Sequence, residues 1–211
     1  MNATPDPAVR LNIGCGARPI SGYVNIDFDS KEEILARYPG LVLPEGLEIL
    51  NYDIFNLPYG DGAVAEVRCD SLVEHLSFLE EKRFFHEMRR VLAVGGELQF
   101  SVPDFEATVR QWLEAKDDWQ DFYRNDPEAI AQNHWFGTYS YGAENRWGYL
   151  MASIFGSQNG AGQYHRNAYT RKKIGALLRK VGFEVKEMST FLWKGEREPM
   201  IFTRAIRLPP S

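Results

Sequence analysis

The feature that most limits this chain is a short apolar-rich run that stops at glycine or at an acidic residue, repeated along the first half. Val9–Ile13 halts at Gly14, Tyr23–Ile26 at Asp27, Glu48–Tyr52 at Asp53, Val64–Cys69 at Asp70, and Glu97–Val102 at Pro103-Asp104. Short apolar runs bounded by turn formers read as buried strands. Helical stretches stand between them. Lys31–Tyr38 is stopped by Pro39-Gly40. In Phe78–Leu92 the residues Phe84, Phe85, Met88, Val91 and Leu92 recur on one face, and Gly95-Gly96 ends the unit. Thr170 can cap a further helix, with Ile174, Leu177, Leu178 and Val181 on its buried face and Gly182 at its end. Phe183–Met188 and Pro199–Ile206 are the last two strands. Strands alternating with helices build an α/β fold, a mostly parallel sheet with helices on both faces.

Residues from about 105 to 165 break this rhythm. Four of the five tryptophans lie there (Trp112, Trp119, Trp135 and Trp147), with many tyrosines and a glycine-rich stretch from Gly156 to Gly162. Val109, Trp112 and Leu113 suggest one helix and Tyr149–Phe155 a second. The expectation is a single domain over 1–211 with an α-rich, substrate-binding insertion after strand five. Its aromatics suit the walls of a pocket for a sugar or a ring. The alternative is a satellite core under a long segment, and at least half of them are expected to serve there.

Net charge is −5, from 24 basic and 29 acidic residues, which counts against non-specific nucleic-acid binding. The two cysteines, Cys15 and Cys69, fall at buried strand ends and read as free thiols of a reducing compartment. No apolar run reaches the ~18 residues of a membrane span. Met1–Arg10 is polar, with Pro5 and Pro7, and lacks the apolar stretch of a secretion signal. The expected location is cytoplasmic, and the oligomeric state is left open.

In open α/β sheets, ligands bind beyond the carboxyl ends of the strands, near the point where strand order reverses. The residues after each strand are therefore the candidates. Gly14-Cys15-Gly16 lets the backbone approach a ligand closely, because no Cβ intervenes. The dinucleotide fingerprint would place glycine three residues after Gly16, and that position is Pro19. The phosphate-loop ending is also absent. Asp27 can accept hydrogen bonds from a ribose diol, or simply cap a turn. Asp53 can accept from an adenine amino group while the next backbone N–H, that of Ile54, donates to the ring. The alternative for Asp53 is a turn toward Pro58.

Taken together these pieces resemble the small class I methyltransferases of the type 11 group. The resemblance runs through Leu11-Asn-Ile-Gly-Cys-Gly16, Gly22-Tyr-Val-Asn-Ile-Asp27 and Asp53 before Leu57-Pro58. It continues in Leu72-Val-Glu-His-Leu76, Arg90-Val-Leu-Ala-Val-Gly-Gly96, Val102-Pro-Asp104 and Tyr164-His165. It implies a Rossmann-like sheet of seven strands, the last antiparallel. It implies S-adenosylmethionine on the loop of Asn12, Gly14, Cys15 and Gly16, with its ribose on Asp27 and its adenine near Asp53 and Ile54. Ser71 and Leu72 would sit beside the methionine part, and His75 is counted with the cofactor-binding residues. Arg18 stands where many relatives carry another glycine, and either reaches the cofactor carboxylate or lies exposed.

Methyl transfer from a sulfonium needs a positioned nucleophile, and a base only where that nucleophile carries a proton. Histidine suits the task. His86 lies on the polar side of its helix and His134 in the insertion. His75 belongs to the family motif, with a structural role as its alternative. His165, beside Tyr164 and Arg166, is the first candidate for a base or substrate contact, or else caps the insertion. Glu74-His75 has no second ligand at metal spacing on a common helix, so no metal site is expected. The turn Asp70-Ser71-Leu72-Val73 lacks the Pro-Pro-aromatic sequence that resembles amino-methyltransferases of DNA bases and glutamine. The function expected is therefore methylation of a small molecule or glycan at oxygen. The competing readings are a nicotinamide-dependent oxidoreductase and a non-catalytic module that binds the cofactor.

Overall fold

A computed structural model describes residues 9–117, 127, 146–158, 160, 162–193 and 198–210. The strands are β1 (Arg10–Ile13), β2 (Val24–Ile26), β3 (Ile49–Leu50), β4 (Val64–Asp70), β5 (Leu92–Pro103), β6 (Phe183–Trp193) and β7 (Glu198–Arg207). The helices are α1 (Lys31–Arg37), α2 (Phe78–Val91), α3 (Phe105–Glu114), α4 (Tyr149–Phe155) and α5 (Arg171–Val181), with a 3-10 turn at Val73–His75. The seven strands form one sheet in the order β3-β2-β1-β4-β5-β7-β6. β7 is antiparallel to both neighbours, and the remaining pairings are parallel. Strand order reverses between β1 and β4, so the crevice lies beyond Ile13 and Asp70.

Alternate residues make the two faces of the sheet unlike. The register row Leu11, Val67, Leu98 and Ala205 is buried. It belongs to one core with Phe84, Phe85, Met88 and Val91 of α2 and Ile174 and Leu178 of α5. The next row, Asn12, Arg68, Gln99 and Arg204, is polar. Burying each large apolar side chain contributes about 1.5–3 kcal/mol, so the apolar rows fix which face meets α2 and α5.

The helix starts follow local chemistry. Ser30 with Glu33, and Ser77 with Glu80, form reciprocal capping boxes at α1 and α2. Thr170 caps α5 by accepting from Lys173 N, and Gly182 ends it at φ 85°. Three boundaries differ from the sequence reading. β3 is only Ile49–Leu50. Leu92, read as the last helical residue, instead begins β5, opposite Val64, so Gly95-Gly96 lie inside that strand. β6 runs past Met188 to Trp193, because its antiparallel ladder with β7 continues to the pair Trp193–Glu198.

Both helices expected at the edges of the insertion are present, as α3 and α4. The described ends of that segment are held together. Trp112 and Trp147 meet edge to face at 6.4 Å, and the Arg146 guanidinium lies 4.9 Å over the Trp112 ring. Arg146 also donates to the carbonyls of Trp112 and Leu113 at 2.9 and 2.7 Å. These two tryptophans pack against one another as a satellite core. Trp119, Trp135 and His134 lie outside the described residues.

Candidate functional site

The loop after β1 is held by its own neighbours in sequence. The Asn12 side chain, buried, donates to the Arg18 carbonyl at 3.0 Å and to Asn25 Oδ1 at 2.9 Å. Asn25 in turn accepts from Ile20 N at 2.7 Å and donates to the carbonyls of Ile20 and Tyr23. The N–H groups of Gly14 and Cys15 both donate to the Ile26 carbonyl. Gly16 N donates to Asp27 Oδ2 at 2.7 Å, and Asp29 N donates to Oδ1 at 3.0 Å. Asp27 thus sets the loop's shape as well as ending β2.

Gly14 has φ 68°, a region that L side chains rarely adopt. A Cβ there would also lie 3.1 Å from Leu72 Cδ1. Leu72 therefore packs directly on the loop, and β4 leads from it to the next group of residues. Ser71 turns the chain there with φ 54°, a strained value for a residue other than glycine, while its N–H donates to the Ser101 carbonyl at 2.9 Å. Asp70 accepts from Ser101 Oγ at 2.7 Å.

A cavity of about 510 Å³ opens between this loop and the strand ends. Asn12, Gly14, Cys15 and Arg18 of the expected set line it, as do Asp70 and Ser101. Its volume lies in the ordinary range for a small-molecule site. Gly16, Asp27, Asp53, Ile54, Ser71, Leu72 and His75 do not line it. Asp53 is exposed, with Oδ1 accepting from Phe55 N at 2.9 Å, and Ile54 packs partly buried against the core. Arg18 is exposed and stacks its guanidinium 4.5 Å over the Trp193 ring at the end of β6. Cys15 and Cys69 are buried free thiols, as read from the sequence. Burial, with the Asp27 charge adding to it, pushes the Cys15 thiol up to about 12.

Beyond Leu72 lies a second group, drawn from distant parts of the chain. His165 and His75 meet edge to face with ring centroids 4.9 Å apart. His75 Nδ1 donates to the Tyr164 carbonyl and His165 Nδ1 to the Ser153 carbonyl, both at 3.0 Å. The Glu74 carbonyl accepts from Arg166 N and Asn167 N, which fastens the two segments together. Gly156 allows the approach. A Cβ there would lie 2.1 Å from the Gln163 carbonyl oxygen and 2.8 Å from His165 N. Burial, then the neighbouring His165, lower His75 to about 4, so its ring is neutral near pH 7. Glu74 is buried beside it, and burial raises its carboxyl to about 8.

The sequence reading placed both histidines at the site, and the fold brings them into contact. It passed over Asn25, although a polar residue inside a strand was a visible signal. It treated Glu74 only as part of a motif, and nothing in the sequence pointed to Ser153. Its statement on metals concerned spacing along one helix, whereas the fold adds His165 to Glu74-His75 from ninety residues away.

The family model described as a methyltransferase domain, type 11, matches residues 11–100. Over that stretch, 90 of the 211 residues, the chain is similar to the methyltransferases of that group. Its fold is similar to that of an S-adenosylmethionine-dependent methyltransferase from Methanosarcina mazei, at 19% identity and TM-score 0.54, covering 95% of this chain and 92% of that one. It is similar also to a Listeria monocytogenes methyltransferase, at 16% identity and TM-score 0.54, covering 99% and 94%. A third similar structure is the Burkholderia thailandensis 1,6-didemethyltoxoflavin-N1-methyltransferase, at 12% identity and TM-score 0.54, covering 96% of this chain and 72% of that one. That enzyme was solved with 1,6-didemethyltoxoflavin and S-adenosylhomocysteine bound. No curated protein matches the sequence. The matched domain is that of methyltransferases, whose cofactor is S-adenosylmethionine, and the crevice beyond β1 and β4 is where open α/β sheets bind their ligands. Among the described residues no helix is long and apolar enough to cross a membrane.

Proposed function

We propose that this methyltransferase acts on a small molecule or glycan at oxygen, within one domain whose insertion at about 105–165 shapes the acceptor pocket. S-adenosylmethionine lies across Asn12, Gly14, Cys15, Gly16 and Arg18. Asp27 takes the ribose, Asp53 and Ile54 take the adenine, and Ser71, Leu72 and His75 flank the methionine part. The observation that carries the reading is the contact of His75 with His165 directly beyond Leu72, which itself packs on Gly14. Proton-accepting groups beside the methyl donor suit a hydroxyl acceptor, which must lose a proton as it is methylated. Burial, then the neighbouring His165, hold His75 at low basicity, and His165 is assigned as the base. The Burkholderia enzyme methylates nitrogen, as its name states. The oxygen preference here rests on the histidine pair alone.

Calorimetric titration with S-adenosylhomocysteine tests the cofactor part. Binding is expected, and its absence at millimolar ligand would sink the reading. A panel of hydroxyl and amine acceptors, read by transfer of a labelled methyl group, tests the rest. Turnover restricted to amines removes the oxygen preference. Unchanged turnover in His165→Ala removes His165 as a base.

A further inference from the structure

Glu74, His75 and His165 each offer one donor atom, and the three atoms lie within 4.8 Å of one another. Two nitrogens and a carboxylate oxygen form a donor set that holds zinc in hydrolytic enzymes and leaves a fourth position open. In tetrahedral zinc sites the donors stand roughly 3.4 Å apart, so these three need to draw in by about 1–1.5 Å, a reach that modest side-chain rotations can supply.

Three further observations fit an ion there. Glu74 Oε2 is buried and has no hydrogen-bond partner among the described residues, although the residue is only 2% exposed. A lone buried carboxylate oxygen is costly unless something positive or hydrogen-bonding meets it. Both imidazoles have their Nδ1–H committed to a backbone carbonyl. That sets the tautomer, with the lone pair of the neutral ring on Nε2, and is the usual outer support of a metal-bound histidine. A cavity of about 10 Å³, lined by Glu74, Ser153 and His165, adjoins the group, and Ser153 Oγ in it is likewise buried without a partner among the described residues. That space suits a single ion or water. Asp70 and Glu198 add negative charge toward Glu74, opposed by Arg18.

We propose that Glu74, His75 and His165 form a binding site for one divalent transition-metal ion of the zinc class. Two nitrogen donors favour such an ion over magnesium or calcium, which prefer oxygen. Three protein donors leave a fourth position for water or a substrate oxygen. A hydroxyl coordinated there would lose its proton to water more readily, since a bound zinc lowers the pKa of its ligands. Any such use in catalysis rests on the proposed acceptor site, whereas binding of the ion does not.

The test uses the full chain, stripped of metal by a chelator, and titrated with zinc alone by calorimetry and with cobalt alone by visible absorption. The expected result is one equivalent per chain and a cobalt spectrum of low coordination number. Glu74→Gln, His75→Ala and His165→Ala each weaken binding at least about tenfold. His86→Ala, an exposed histidine on α2, leaves it unchanged. Glu74→Gln nearly preserves shape, and far-ultraviolet circular dichroism with thermal unfolding of the same samples reports that each variant is folded. The site is overturned if the wild type gives only the spectrum of hydrated cobalt, or if the three variants bind zinc as the wild type does. Failure of metal binding with S-adenosylhomocysteine still bound removes the ion and leaves the methyltransferase reading standing.

Discussion

The glycine loop and the histidine corner are neighbours at the carboxyl ends of β1 and β4, but they are assembled in opposite ways. Asn12, Asn25 and Asp27 satisfy the loop's polar groups within some fifteen residues of chain, as in the Asn12–Asn25 and Gly16–Asp27 bonds. The corner joins residues 74–75 to residues 153–165, and Glu74 Oε2 and Ser153 Oγ are buried there without partners among the described residues. Local satisfaction makes a loop that keeps its shape before a ligand arrives. Unmet buried donors and acceptors make a site that gains from one.

Gly156→Ala is expected to break the corner and spare the loop. The added methyl would meet the Gln163 carbonyl at 2.1 Å on a backbone with φ 82°. Strain and overpacking together are expected to cost about 3–5 kcal/mol, measurable by urea unfolding. S-adenosylhomocysteine affinity should survive at low denaturant. If it is lost, the two regions are one unit.

Asp27→Ala is the converse. It removes the acceptor of Gly16 N and Asp29 N as well as the proposed ribose contact. Affinity for S-adenosylhomocysteine should fall about 100-fold, or roughly 2.7 kcal/mol. Glu74→Gln should change it less than about threefold. Equal losses in the two variants would erase the distinction.

The smallest effect is one of pH. The Glu74 carboxyl titrates at about 8 in the folded protein against an ordinary 4.5, because burial disfavours its charge. Between those values the unfolded chain has lost the proton and the folded chain keeps it, so stability falls as pH rises and levels off above about 8. His75 works the other way, losing stability as pH falls from 6.5 toward about 4. The decline between pH 6.5 and about 8 should therefore belong to Glu74, since the buried thiols of Cys15 and Cys69 add theirs only around pH 9 and above. In metal-free protein, Glu74→Gln should flatten it and gain on the order of 1–3 kcal/mol at pH 9. An unchanged slope in thermal unfolding across that range would show that Glu74 is hydrated after all.

Much of the fold was legible because its signals are local. Alternating apolar runs, the helix face of Phe84, Phe85 and Met88, and the turn residues after each strand all act within a few positions. The errors fall where pairing overrides local preference. Leu92 continues the apolar stripe of α2, but it pairs opposite Val64 and becomes strand. β6 is extended only because β7 lies beside it. The aromatics of residues 105–165 could be read as pocket wall or as a small core, and the fold packs Trp112 and Trp147 edge to face with Arg146 over the Trp112 ring.

The sequence by itself determined the alternation of strand and helix, the loop at Gly14–Gly16 and the aspartates that follow the strands, since each depends on residues close along the chain. The tertiary structure alone decided that Glu74, His75 and His165 share one small space. Contacts across ninety residues leave no period or spacing to read. They exist because Gly156 lets two backbones meet and the Glu74 carbonyl binds the segment that carries His165.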